Sequence, residues 1–164
     1  IVACWLFSRR PGTRSFLWIT DRVCLTVPMA GASIRLGNFF NSEIIGKQTD
    51  VPWAVIFERV DSVPRHPSQL YEALIYIIIF LVNHMIYRRQ REKTPEGLIF
   101  GSLFIMLFTA RILIEFTKEN QVDFESSLPL NMGQLLSIPA VLFGVWMVRY
   151  SLKNRQTSKM KRVK

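Results

Sequence analysis

Apolar residues in this chain come in blocks, with neither the stripes of a soluble helix nor the alternation of a strand. Residues 70–87, "LYEALIYIIIFLVNHMIY", hold one acid and no base, and residues 97–117 and 130–150 are blocks of the same kind. A less pure block covers 15–34, with Asp21 and Arg22 near its start and Pro28 in its middle. About 20 apolar residues in a helix cross a hydrocarbon core about 30 Å thick. The pattern therefore predicts four spans, with residues 1–7 as the inner end of a fifth. The predicted class is all-α: a polytopic transmembrane helix bundle, with one membrane domain over 1–150 and a basic tail over 151–164. The chain opens at Ile1 in mid-block, which reads as a fragment with upstream spans missing.

The punctuation between blocks fits this order. Pro11 and Gly12 mark a turn. Residues 35–68 form a polar loop with an interfacial piece around "VPWAVIFERV", where Trp53 and Phe57 suit the membrane boundary. Ser68 is the expected N-cap of the third span, with Glu72 in its first turn. "TPEG", residues 94–97, restarts a helix, with Thr94 as cap and Pro95 at the first helical position. Gly101, Ser102 and Ala110 are small enough for close helix packing. Pro139 and Gly144 mark bends or close contacts in the last span.

Charge adds direction. The net charge is +9, which by itself would also suit a nucleic-acid surface. The positions exclude that reading. Arg9, Arg10 and Arg14 share one loop, and Arg88, Arg89, Arg91 and Lys93 share another. Arg149, Lys153, Arg155, Lys159, Lys161, Arg162 and Lys164 form the tail. The alternate loops, 35–68 and 118–129, hold most of the acids: Glu43, Asp50, Glu58, Asp61, Glu119, Asp123 and Glu125. Basic loops stay in the cytoplasm, so the C-terminus is expected there and no nucleic acid is expected as a partner. Cys4 and Cys24 have no metal-ligand spacing and read as small buried hydrophobes.

Four polar clusters fall at the opposite, outer ends of the spans. "RLGNFFNSEIIG" brings Arg35, Asn38, Asn41 and Glu43, with Gly37 allowing close approach. "RHPSQLYEA" packs Arg65, His66, Gln69, Tyr71 and Glu72 together. "ARILIEFTKEN" places Arg111 and Glu115 at i, i+4, where they can pair, and ends near Lys118. "NMGQLLSIP" adds Gln134 and Ser137, three apart, as candidates for interhelical hydrogen bonds. Arg35 alone could simply lift its charge to the interface, but snorkelling does not need Asn38, Asn41 and Glu43 beside it. An arginine fork and a lysine at one membrane level can grip a lipid phosphate. A transporter or channel would instead need polar groups continuing through the bilayer, and a purely structural subunit would leave the one-sided clustering unexplained.

At these motifs the chain resembles bacterial prolipoprotein diacylglyceryl transferases, in the form seen in Bacteroidetes. "RLGNFFNSEIIG", "RHPSQLYEA", "RILIEF" and "MGQLLSIP" follow one another in the family's order, from about Ser15 to Tyr150. The resemblance implies an enzyme of the bacterial plasma (inner) membrane, surrounded by membrane lipids. Such an enzyme moves the diacylglyceryl group of phosphatidylglycerol onto the lipobox cysteine thiol of a preprolipoprotein. Glycerol phosphate leaves, a thioether forms, and no metal or organic cofactor takes part. Arg35 matches the phosphate-binding arginine, and Asn38, Glu43 and Gly46 match other signature positions. Lys118 stands where the family has a second arginine, and Ile34 where it usually has glycine. The family's His-Gly-Gly motif would lie before Ile1, which leaves Glu43 and His66 as the candidate proton acceptors here. Asn41, Arg65, Gln69, Tyr71, Arg111 and Glu115 complete the expected binding set.

Overall fold

Four helices of the protein are long and apolar enough to cross a membrane. A computed structural model describes residues 2–118 and 132–163, with side chains of the last helix up to Arg155. Helix α1, Val2–Ser8, leads to α2, Phe16–Asn41. Strands β1, Val55–Ile56, and β2, Pro64–Arg65, precede α3, Ser68–Gln90. A 3-10 turn at Arg91–Lys93 connects to α4, Leu98–Glu115, and α5 runs from Met132 to Val163. The protein is a multi-pass all-α membrane protein. Successive spans are antiparallel, so the molecule has a basic end, where α2 and α4 begin, and a loop-rich end, where α3 and α5 begin.

Two boundaries differ from expectation in ways that matter for the site. Helix α2 does not stop at residue 34. It continues to Asn41 and closes where Ser42 turns left-handed, at φ 59°, with Glu43 N–H donating to Asn38 O at 2.9 Å. Arg35, Asn38 and Asn41 therefore ride on a helix that extends beyond its apolar stretch, and the loop begins only at Ser42. The basic tail likewise continues α5 as helix up to Val163. The expected outer loop 118–129 lies almost wholly outside the described residues.

Several predicted caps are replaced by tertiary partners. Pro67, not Ser68, is the N-cap residue of α3. The Ser68 hydroxyl is buried against Thr117 Oγ1 at 2.9 Å and ties α3 to the end of α4. Thr94 Oγ1 bonds back to Arg91 O, and α4 starts after Gly97, whose φ of 86° favours glycine. The cap of α4 comes from α2 instead. Asp21, buried, accepts from Gly97 N–H at 2.8 Å and Phe100 N–H at 2.9 Å. A carboxylate at a helix N-terminus satisfies orphan donors and meets the positive end of the dipole.

Packing of the spans uses small residues, as expected. Gly101 and Gly144 face each other across α4 and α5: a Cβ on Gly101 would lie 3.0 Å from Gly144 O, and one on Gly144 2.9 Å from Gly101 O. Ser102 has another role, donating to Asn83 Oδ1 on α3. Cys24, Ile79, Ile99, Leu103 and Ala110 form the central core. Cys24 is buried as predicted, whereas Cys4 is only half-buried. Outward-facing Ile34, Leu74, Leu81, Leu113, Leu136 and Leu142 stay exposed to the lipid-facing side. Gly37 faces open space, so no backbone approaches there.

The expected interfacial piece is a small antiparallel hairpin, pairing Val55 with Arg65 and Ile56 with Pro64. Phe57 packs inside the protein and does not face outward. It is buried, with its ring edge-on to Phe39 at 5.8 Å, while Trp53 is exposed.

Asp21→Ala leaves two backbone donors of α4 without their partner. The expected loss is about 2–3 kcal/mol, read as a melting temperature several degrees lower for the detergent-solubilised protein. An unchanged melting temperature would show that the cross-helix cap contributes nothing.

Candidate functional site

The centre of the loop-rich end is a carboxylate. Glu72, in the second turn of α3, is 2% exposed. Its Oε1 accepts from Lys118 Nζ at 2.8 Å. Its Oε2 lies 2.9 Å from Arg35 Nε, as an ion pair without hydrogen-bond alignment. Residues from the ends of α2 and α4 thus converge on one group of α3. Lys118 is itself 6% exposed. Removing one member of such a buried cluster leaves an uncompensated charge.

The cluster extends through the signature segment. With its amide turned so that both ends are satisfied, Asn38 accepts from Arg35 Nη1 and donates to Glu43 Oε2, both at 3.2 Å. Gln69, fully buried, donates from Nε2 to Glu43 O at 2.7 Å, which pins the chain just after α2. Gly46 then runs between two neighbours. Its N–H donates to His66 O, and it forms an antiparallel bridge with Lys118. Lys47 N–H donates to Thr117 O at 2.8 Å. A Cβ on Gly46 would sit 2.4 Å from His66 O and 2.5 Å from Ser68 Oγ. Only glycine fits this backbone path.

A cavity of about 270 Å³ opens beside the cluster, lined by Arg35, Arg111, Glu115, Lys118, Ile44 and Gly133, among others. Arg111 and Glu115 do not pair with each other. Glu115 is buried and turned toward the start of α5, where its carboxyl carbon would be 2.8 Å from a Cβ on Gly133. There it meets the positive end of the α5 dipole, which leaves the Arg111 guanidinium on the cavity wall. Gln134 Nε2 donates across to Ile112 O at 3.3 Å, an interhelical bond as expected, whereas Ser137 bonds within its own helix to Gly133 O.

The remaining predicted residues stand apart from the cavity. Arg65 clamps Asp61, with Nη2 to Oδ2 at 2.6 Å, and also donates to Gly46 O. That guanidinium holds the Asp61 carboxyl below the usual carboxylate range. His66 Nδ1 lies 3.3 Å from Tyr71 OH, which accepts from Trp53 Nε1 at 2.7 Å. These three form a separate strut of the hairpin. Asn41 is exposed at the end of α2.

Sequence reasoning gave Glu72 only a helix-dipole role within a crowded polar motif. The signal that points to more is its place at the start of α3, at the membrane level where Arg35 and Lys118 bring two cations.

Residues 1–150 match the family model for prolipoprotein diacylglyceryl transferase. The chain belongs to that family. Among its relatives, a phosphatidylglycerol–prolipoprotein diacylglyceryl transferase of Bacteroides fragilis is 46% identical over 155 residues, covering 94% of this chain and 56% of the relative. That of Chloroherpeton thalassium is 45% identical over 159 residues, covering 97% and 59%. That of Porphyromonas gingivalis is 41% identical over 174 residues, covering 98% and 62%. The chain thus spans less than two thirds of the length of these transferases.

Gly46→Ala should force the 43–48 segment away from His66 and Ser68 and loosen its bridge to Lys118. The expected destabilisation is about 1–3 kcal/mol, measured by thermal unfolding in detergent. A variant as stable as the parent would contradict the tight passage described here.

Proposed function

We propose that the protein performs the transfer for which its relatives are named. The diacylglyceryl group of phosphatidylglycerol passes to the thiol of the lipobox cysteine in a preprolipoprotein. The observation that carries this reading is the pair of cations, Arg35 and Lys118, held against one buried carboxylate on the wall of a single cavity.

Chemistry follows from charge. The cysteine sulfur attacks the glyceryl carbon that bears the phosphate, a carbon–sulfur bond forms, and the carbon–oxygen bond to phosphate breaks. The thiol proton is released, and glycerol phosphate departs with more negative charge than the diester had. Fixed cations beside that phosphate stabilise charge as it develops and need no reorganisation to do so. Arg35 supplies a planar fork, and Lys118 supplies a point charge in place of a second fork. Arg111 adds a third cation to the wall. Glu72 and Glu115 sit beside these cations and Glu43 is joined to Arg35 through Asn38, so a bound phosphate shares the cations with acids that hold them in place.

A thiol reacts as its thiolate, so a proton acceptor must lie nearby. Neither of the two candidates in this chain lines the cavity, but Glu43 is joined to Arg35 through Asn38, whereas His66 faces Tyr71. This geometry favours Glu43. Asn38 and Gln69 position it, and Gly46 holds the loop that carries it.

In this reading the loop-rich end lies at the outer headgroup level of the bacterial inner membrane. The basic end and the C-terminus lie in the cytoplasm, consistent with the positive-inside pattern. The partners are phosphatidylglycerol, the lipobox peptide and the surrounding lipids.

The test uses the native gene product containing these residues, in membranes supplied with labelled phosphatidylglycerol and a lipobox peptide. Arg35→Ala is expected to lower transfer about 10²–10³-fold. Lys118→Arg is expected to retain it within about tenfold, because charge and reach persist. Undiminished transfer by Arg35→Ala would refute its assigned role. Total loss in Lys118→Arg would mean that the lysine does not act as a phosphate-binding cation.

A further inference from the structure

A second cavity, of about 470 Å³, lies at the basic end, between the final turns of α5 and the turn joining α3 to α4. Nothing in the transfer reaction uses it. Ser151 lines it and is 1% exposed, yet its Oγ has no hydrogen-bond partner. A buried hydroxyl left without a partner is costly, and this one borders an open cavity.

The charges around Ser151 are unequal in freedom. Glu92 and Glu96 border the cavity, but both have partners. Glu92 lies 3.6 Å from Arg22, and Glu96 accepts from the Ser15 hydroxyl. Arg22 itself is stacked on Trp18, at 3.8 Å from its ring centre. Lys93 and Arg155 also line the cavity, and neither makes an ion pair among the described residues. The two acids are therefore turned away to neighbours on or beside α2. Two unpaired cations and a buried hydroxyl donor are left facing one space.

The surroundings are those of a membrane boundary. Trp146 and Tyr150 stack along α5 with ring centres 5.7 Å apart, and both rings are exposed. Such rings sit at headgroup depth. Leu17 gives the cavity an apolar side, and the rest of α5 carries the basic tail that draws anionic lipid to this level.

We propose that this cavity binds the phosphate of an anionic phospholipid on the basic side of the membrane. Lys93 and Arg155 neutralise the phosphate, and Ser151 Oγ donates to one of its oxygens. The chemistry recognised is a phosphate oxyanion, which could come from a lipid headgroup or from free phosphate. The aromatic pair and the apolar wall favour the lipid. The site takes its orientation from the proposed topology but does not depend on transfer, because its readout is lipid retention.

Native mass spectrometry of the detergent-solubilised protein tests this. An Arg35→Ala background weakens lipid binding at the opposite end. In that background the protein is expected to retain added phosphatidylglycerol but not diacylglycerol, which lacks the phosphate. Adding Lys93→Gln and Arg155→Gln together should lower retention at least about tenfold, and adding Ser151→Ala alone about fivefold. Both cations lie on the rim, so thermal unfolding should show that the double variant stays folded. Retention that persists in excess inorganic phosphate supports the headgroup as the source. Displacement by inorganic phosphate would overturn the lipid assignment. Equal retention by the double variant and its parent, or equal retention of diacylglycerol, would overturn the site itself.

Discussion

A buried carboxylate shared by two cations sets the geometry of the loop-rich end. Glu72 stands on α3, Arg35 on the polar extension of α2, and Lys118 just past α4. A lone carboxylate or ammonium at such a depth is strongly disfavoured. Each therefore constrains where the others lie, and three helix ends are drawn to one point. The same constraint explains why α2 continues beyond its apolar stretch. Ending at residue 34 would remove the turn that carries Arg35 and Asn38 to Glu72 and Glu43. The outcome is a cluster of cations, fixed by buried acids, that borders open space.

Close backbone approach is the second constraint, and it acts at different depths. Within the bilayer, Gly101 and Gly144 let α4 and α5 touch. At the site, Gly46 lets the segment after α2 pass between His66 and Lys118. Gly133 leaves room for the Glu115 carboxylate at the start of α5. That last contact frees Arg111 from the pairing its spacing invites, so a residue without a side chain decides where a guanidinium points. Asp21 plays the matching role at the basic end, where α2 caps α4 across the bundle.

Much of this was legible in the residue pattern. The four spans, their order, and the convergence of Arg35, Asn38, Glu43, Gly46 and Lys118 at one end follow from apolar blocks, charge placement and motif order. Local rules failed where tertiary partners took over. Thr94 and Ser68 carry the chemistry of caps, but Asp21 caps α4 and Ser68 is drawn to Thr117. Arg111 and Glu115 have pairing spacing, but the start of α5 lies closer to the acid. Glu72 read as a dipole partner because its two cations come from segments 37 residues before and 46 residues after it. His66 and Tyr71 share a motif with Gln69, yet only Gln69 turns inward. The hairpin sends the other two toward Trp53. Side-chain direction on a short irregular segment is set by pairing register, which residue spacing does not reveal.

The central claim is that Arg35 and Lys118 together hold the phosphate of the lipid substrate. An experimental structure of the native gene product with phosphatidylglycerol bound measures this directly. The account predicts headgroup oxygens within about 3 Å of both the Arg35 guanidinium and the Lys118 ammonium, with Glu72 still between the two cations. A headgroup bound elsewhere, with Arg35 and Lys118 contacting only Glu72, would contradict it.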